Sequence, residues 1–210
     1  MKKSVWVCAA VLLLVAFVPK PAVAGDKINF GLKAGMSMSN VKWSDDDGEE
    51  KALWKPTFGI FAQIDINETL AIQPELNYLT MGEMWQGVNG VTWKEVYTQN
   101  YLWIPVLIKA RLTKEGSVVP NIFAGPAAGI LLSARYIYTE DGTELDNESV
   151  KEWYKSVDFG AVFGVGAEFP MSNFRFIADI RYYLGLAQAS DYPDHTLKNN
   201  ALIFAIGAAF

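Results

Sequence analysis

Apolar and polar residues alternate with a period of two along most of this chain, a pattern that fits extended strands with one greasy face. In the first such stretch Ile28, Phe30, Leu32, Ala34, Met36 and Met38 fall on one side. Asn29, Gly31, Lys33, Gly35 and Ser37 fall on the other. The alternation returns near 58–66, 70–78, 101–111, 119–133, 158–169, 175–185 and 201–210. That makes about eight strands of roughly ten residues, the length at which a tilted strand crosses a bilayer. No segment after the first two dozen residues carries a helical period.

The connections sort by length. Those near 39–56, 83–96, 134–157 and 187–198 are long, whereas those near 67–69, 113–117 and 170–173 are short. Long and short connections alternate, so the tight turns share one end of an up-and-down sheet and the free loops share the other. Transmembrane β-barrels have this asymmetry, and the expected fold is an all-β, eight-stranded antiparallel transmembrane barrel.

A closed sheet with one apolar row can carry that row inside, as soluble carriers do, or outside, against lipid. The polar rows decide between them. They hold Lys33, Asp65, Glu75, Lys109, Arg111, Asp158, Glu168, Arg175, Asp179 and Arg181 among many glycines. Small residues and charges of both signs suit a narrow interior. Buried charges must pair, and these acids and bases are equal in number. Glu75 with Lys109, and Glu168 with Arg175 across a short turn, are the expected pairs. An eight-stranded interior is just wide enough for side chains, so with Phe61, Tyr101 and Trp103 also on the inner row a plugged barrel is expected. Aromatics collect near the strand ends: Trp43, Trp54, Trp93, Tyr97, Tyr136, Tyr138, Trp153 and Tyr154 at one, Phe169, Phe174 and Phe210 at the other. Such rings match the interfacial girdles of membrane barrels.

The first residues read as a secretory signal peptide over 1–24, with the barrel domain over 25–210. A basic MKKS precedes the apolar VWVCAAVLLLVAFV, and PKPAVA supplies a small-x-small cleavage site. Cleavage there would remove Lys2, Lys3 and Lys20 and no acid, taking the formal charge from −5 to −8. An acidic chain argues against a nucleic-acid partner. The single cysteine, Cys8, lies in the signal segment, so disulfides, thiol catalysis and cysteine metal sites are excluded from the mature chain.

Several segments occur together and in order: KINFGLKAGMSMSN, LAIQPELNYLTMG, YLWIPVLIKARL, NIFAGPAAGILL, DFGAVFGVGAEF, ADIRYYLGL and IGAAF. In these the chain resembles the PorT-like outer-membrane β-barrel family, small barrels akin in build to OmpA and OmpX. The resemblance implies a Gram-negative outer-membrane barrel with both termini in the periplasm. It also implies that Phe210, the terminal aromatic, is read by the outer-membrane assembly machinery. A link to protein secretion is its furthest suggestion; a molecular activity it does not deliver.

Chemistry-bearing motifs are sparse. His195, the only histidine, has Ser190, Asp191 and Asp194 nearby, but no spacing fixes a nucleophile against it. DDDGEE lacks the alternating ligand spacing of a calcium loop, and acidic runs are usually solvated. The expected protein is a non-enzymatic outer-membrane barrel with a structural or interaction role and without cofactor or bound metal. Its expected partners are outer-membrane lipid, the assembly machinery, and a surface or secretion-system protein reached through 39–56, 83–96, 134–157 and 187–198. A rim enzyme around His195 and a narrow channel are the alternatives. Phe210→Asp is expected to impair assembly more than any loop change, read as loss of the heat-modifiable folded band from membrane fractions.

Overall fold

The computed structural model describes residues 28–39, 49–191 and 197–210. The signal segment, Trp43, most of the DDDGEE run and His195 lie outside the described residues. Ten strands follow in order: β1 (Ile28–Ser39), β2 (Glu49–Lys51), β3 (Leu53–Asp65), β4 (Leu70–Asn89), β5 (Val91–Arg111), β6 (Val119–Glu140), β7 (Thr143–Ser149), β8 (Val157–Pro170), β9 (Arg175–Gly185) and β10 (Asn200–Ala209). A single 3₁₀ turn, Lys151–Trp153, lies between β7 and β8.

Eight of these strands form a closed antiparallel ring in the order β1, β3, β4, β5, β6, β8, β9, β10. The last strand pairs with the first, from Gly31 opposite Ala209 to Ser39 opposite Ala201. Closure leaves the ring without a free edge. The short β2 and β7 are additions at one end, on β4 and β6 respectively.

The two faces are sorted as the alternation requires. Ile28, Phe30, Leu32, Phe58, Ile60, Ile108, Phe163, Val165 and Ile206 are exposed, all on the outer wall. Lys33, Gln63, Gln73, Glu75, Lys109, Glu168, Asp179 and Arg181 are buried in the lumen. Two glycines of the inner row make room for rings on the neighbouring strand. A side chain at Gly31 would run into the Phe61 ring, and one at Gly164 would meet Phe123 at 2.6 Å. Inner glycines therefore set the lumen's capacity for large rings.

Three strands depart from the expected length. β4, β5 and β6 have 20, 21 and 22 residues, about twice the 9–11 that a crossing needs. The connections expected near 83–96 and 134–157 are therefore mostly strand. β4 and β5 stay paired from Gly82 opposite Thr98 up to Asn89 opposite Val91, around Gly90 at φ 76°. β6 turns into β7 through Asp141 and Gly142, both at positive φ, in the manner of a type I′ hairpin. The N-G and D-G pairs in the sequence carry this signal, and period-two patterning misses it because both faces of the extension meet water. Trp93, Tyr97, Tyr136 and Tyr138 consequently stand on this extension and not in a girdle at the strand ends. Tyr154 turns inward, only 6% exposed.

Gly164→Val is expected to force overpacked contacts with the Phe123 ring and the Ile180 carbonyl, costing about 1–3 kcal/mol. A lowered urea midpoint of the detergent-folded protein, followed by the gel shift of the unboiled band, checks this.

Candidate functional site: the sealed lumen and the projecting sheet

The lumen is filled in layers. At the short-turn end, Arg111 Nη2 donates to Asp65 Oδ1 at 2.6 Å. Its Nε lies 3.5 Å from Glu168. Arg175 reaches the same Glu168 carboxylate at 3.3 Å, and Lys109 Nζ donates to it at 3.2 Å. Glu168 thus gathers three cations from two strands, β5 and β9.

The next layer centres on Glu75. Its Oε1 accepts from Lys33 Nζ at 2.8 Å and from Gln73 Nε2 at 2.6 Å. Its Oε2 accepts from Arg181 Nη1 at 2.8 Å and from Asn77 Nδ2 at 3.0 Å. Arg181 also grips Asp179 through two bonds of 2.8 and 2.6 Å. Lys33 lies 3.7 Å from that same Asp179. β4 and β9 stand half a ring apart, so the Glu75–Arg181 contact spans the lumen from wall to wall. Arg181 further packs over the Phe123 ring, and Lys33 over Phe61, at 5.1 and 5.0 Å. A void of about 10 Å³ remains beside Lys33, Asn77, Trp103 and Arg181.

Above this charge cluster the lumen is mostly apolar. Trp103 meets Tyr183 edge-on at 5.7 Å. Leu79, Met81, Leu131, Ile203 and Tyr101 complete this core. Asn199 Nδ2 donates to Asp158 Oδ2 at 2.9 Å and to the Tyr101 hydroxyl at 3.1 Å. Val150, Tyr154, Ala189 and Leu197 close the long-strand end. The segments that bring them are stitched together, Lys155 N donating to Ala189 O and Asp191 N to Trp153 O. Among the described residues the lumen is thus crossed by charge pairs and roofed by apolar side chains.

Two points correct the sequence reading. Glu75 does not pair with Lys109. The β4–β5 register runs from the Gly90 tip, which puts Lys109 opposite Ala71 and leaves Glu75 level with Pro105. Treating 83–96 as a loop left that register unfixed. The upper lumen, moreover, packs large apolar side chains around a few buried polar ones, Gln99, Asp158 and Asn199. Tyr101 and Trp103 do point inward. A bulge on β6 at this level sets Asn100 opposite Ser133 but Tyr101 opposite Leu131, leaving Leu132 as the extra residue.

Beyond the ring, β2, β4, β5, β6 and β7 continue as one sheet. About ten residues of β4 to β6 extend past the length a crossing needs, or about 30 Å along the strand. Tyr97 and Tyr136 pack at 4.8 Å on this sheet. Partial burial, with Glu95 next in effect, pushes the Tyr136 phenol up to about 12. The outermost strand, β7, is exposed throughout, with Glu144, Asp146 and Glu148 at alternate positions.

A family model described as an outer membrane protein beta-barrel domain matches residues 20–191. The chain belongs to this family. Its ring therefore stands in an outer membrane; barrels of this kind keep their short turns on the periplasmic side and their longer connections outside. No curated protein matches the sequence. Among solved structures the chain is similar to Ail, the attachment invasion locus protein of Yersinia pestis, at 13% identity and a TM-score of 0.45, over 88% of this chain and 100% of that one. Neisserial surface protein A gives 13% identity and a TM-score of 0.46, over 86% of this chain and 95% of that one. The outer membrane protein AlkL gives 13% and 0.45, over 90% and 93%.

Removing Glu75 would leave the two buried cations Lys33 and Arg181 with a single counter-charge, Asp179, between them. Glu75→Ala is expected to cost about 3–5 kcal/mol of stability. Adding Arg181→Met to it is expected to recover part of that loss, because Lys33 and Asp179 then balance one another. Urea unfolding of the single and double variants in detergent measures both, and a double variant no better than the single would contradict this account.

Proposed function

We propose that this protein is a sealed, non-enzymatic outer-membrane barrel whose task is to hold a β-sheet outside the cell for a macromolecular partner. The observation that supports this reading best is the continuation of β4, β5 and β6 well beyond a membrane's thickness. An anchor alone needs no such extension. A conducting pore needs an open lumen, and here Glu75–Arg181 and Trp103–Tyr183 contacts bridge it. The acidic edge strand and the tyrosine pair give the sheet a surface suited to a partner with exposed basic or amphipathic groups. A narrower form of the reading, drawn from the PorT-like resemblance, makes that partner part of a protein-secretion route.

Further proposals concern export and assembly. Residues 1–24 are removed as a signal peptide, and Phe210 takes part in recognition by the assembly machinery. The Phe210 ring is exposed on the outer wall against Phe174 at 6.2 Å, and its amide donates to Phe30 O at 2.8 Å. Its ring thus stays exposed while its backbone is held to β1.

Replacing residues 83–97 by Asn-Gly joins Gly82 to Thr98 at a position where they already pair. The shortened protein is expected to keep its gel shift and to give no stable conductance in planar bilayers. A strain carrying it should share the secreted-protein or surface-binding defect of the deletion strain. Full complementation by the shortened form would move the role from the sheet to the barrel.

A further inference from the structure

Prolines interrupt the barrel wall in three neighbouring strands. The β3–β4 ladder keeps its register but breaks between Phe61–Glu75 and Ile64–Ile72, around Pro74. The β4–β5 ladder breaks between Pro74–Val106 and Asn77–Trp103, around Pro105. The β5–β6 ladder breaks between Pro105–Ala127 and Ile108–Ala124, around Pro126. Proline has no amide hydrogen to give a ladder and is rare away from sheet edges. Here the ring has no edge, and the breaks fall on adjacent seams.

Over the first two breaks the outer wall is concave. A groove of about 520 Å³ opens there between Phe30, Leu32, Ile60, Pro74, Leu76 and Phe210. That lies within the roughly 300–1,000 Å³ of ligand sites. Large side chains form the rims, and small Ala62 and Pro74 lie between them. Phe61 and Glu75 reach its floor, with the Glu75 carboxylate committed to Lys33 and Arg181 inside. The groove is continuous with the lipid-facing belt, so its surroundings are hydrocarbon. Phe30 is the third residue of β1, and Pro74 the fifth of β4. Both lie about 10–15 Å along the strand from the periplasmic turns, within one leaflet of a core about 30 Å thick.

We propose that this groove binds one acyl chain of a phospholipid from the periplasmic leaflet. Surrounding lipid is as apolar as the groove, so hydrophobic transfer contributes nothing to the preference. What distinguishes the site is shape: a chain in a slot touches protein on three sides, and dispersion contacts add. The proline breaks lie beneath this slot, and the rings of Phe30 and Phe210 stand on its rim.

The test is photo-labelling in vesicles of phosphatidylethanolamine and phosphatidylglycerol. A trace of phosphatidylethanolamine carries a diazirine on its acyl chain, and labelled peptides are mapped by mass spectrometry. Labelling at Leu32, Ile60, Ala62 and Leu76 is expected to exceed that at Ile108, Ile122 and Phe163 about fivefold, the ratio that roughly 1 kcal/mol of preference gives. Ala62→Phe fills the slot and should remove the excess, while Ile108→Phe should not; the gel shift confirms that both variants fold. Even labelling around the barrel would overturn the proposal, leaving annular lipid only. A second copy of the chain in the groove would also overturn it, and would be seen as efficient disulfide cross-linking of Ala62→Cys in the otherwise thiol-free mature chain.

Discussion

The ladder between β1 and β10 is the interaction on which everything else depends. In hydrocarbon a strand edge has no water to satisfy it, so an open sheet of these strands would leave rows of amides unpaired. Closing the ring removes that cost and encloses a lumen whose contents must then satisfy one another. The charges on the inner row are tolerable only because the ring brings β4 opposite β9 and β1 near both. Glu75, Lys33, Asp179 and Arg181 neutralise each other across the lumen. Glu168 performs the same office for Lys109, Arg111 and Arg175. Glycines and rings occupy the remaining space.

Against that background the proline breaks are conspicuous. A ring that depends on continuous pairing gives up contiguous ladder positions on three successive seams. The charge network lies directly behind the first two breaks, where Phe61 and Glu75 form the floor of the outer groove. The cross-lumen bonds of Glu75 supply there the wall-to-wall connection that the missing ladder bonds do not. The sealed interior and the interrupted exterior are thus two sides of one arrangement.

Much of the fold was legible in the sequence because a bilayer constrains both faces of a strand at once. The outward row Ile28, Phe30, Leu32 and the inward Lys33, Glu75 and Arg181 followed from alternation alone. The tight connections followed from their length. Two features were hidden for physical reasons. Above the membrane, water bathes both faces of β4 to β6, so no apolar row marks residues 83–97 or 134–149 as strand; only the Asn89–Gly90 and Asp141–Gly142 turns do, one for each hairpin. Which acid meets which base was hidden as well, because a pairing across the lumen depends on ring order and register. Glu168 with Arg175 could be read because a short turn fixes both. Glu75 with Arg181 could not. The prolines of QPEL, IPVL and AGP were visible as letters, but their alignment across adjacent strands appears only once the register is known.

The projecting sheet and the membrane wall share three continuous strands, β4, β5 and β6. There is no linker or hinge between the part that lies in lipid and the part that lies outside it. A load applied at the Gly90 tip would travel down β4 and β5 parallel to their length, so the ladder bonds would bear it together in shear and not one at a time by peeling. A partner held there would also keep a fixed orientation to the membrane plane. Mechanically, the molecule is a post set into a wall, where a loop-borne site would be a tether.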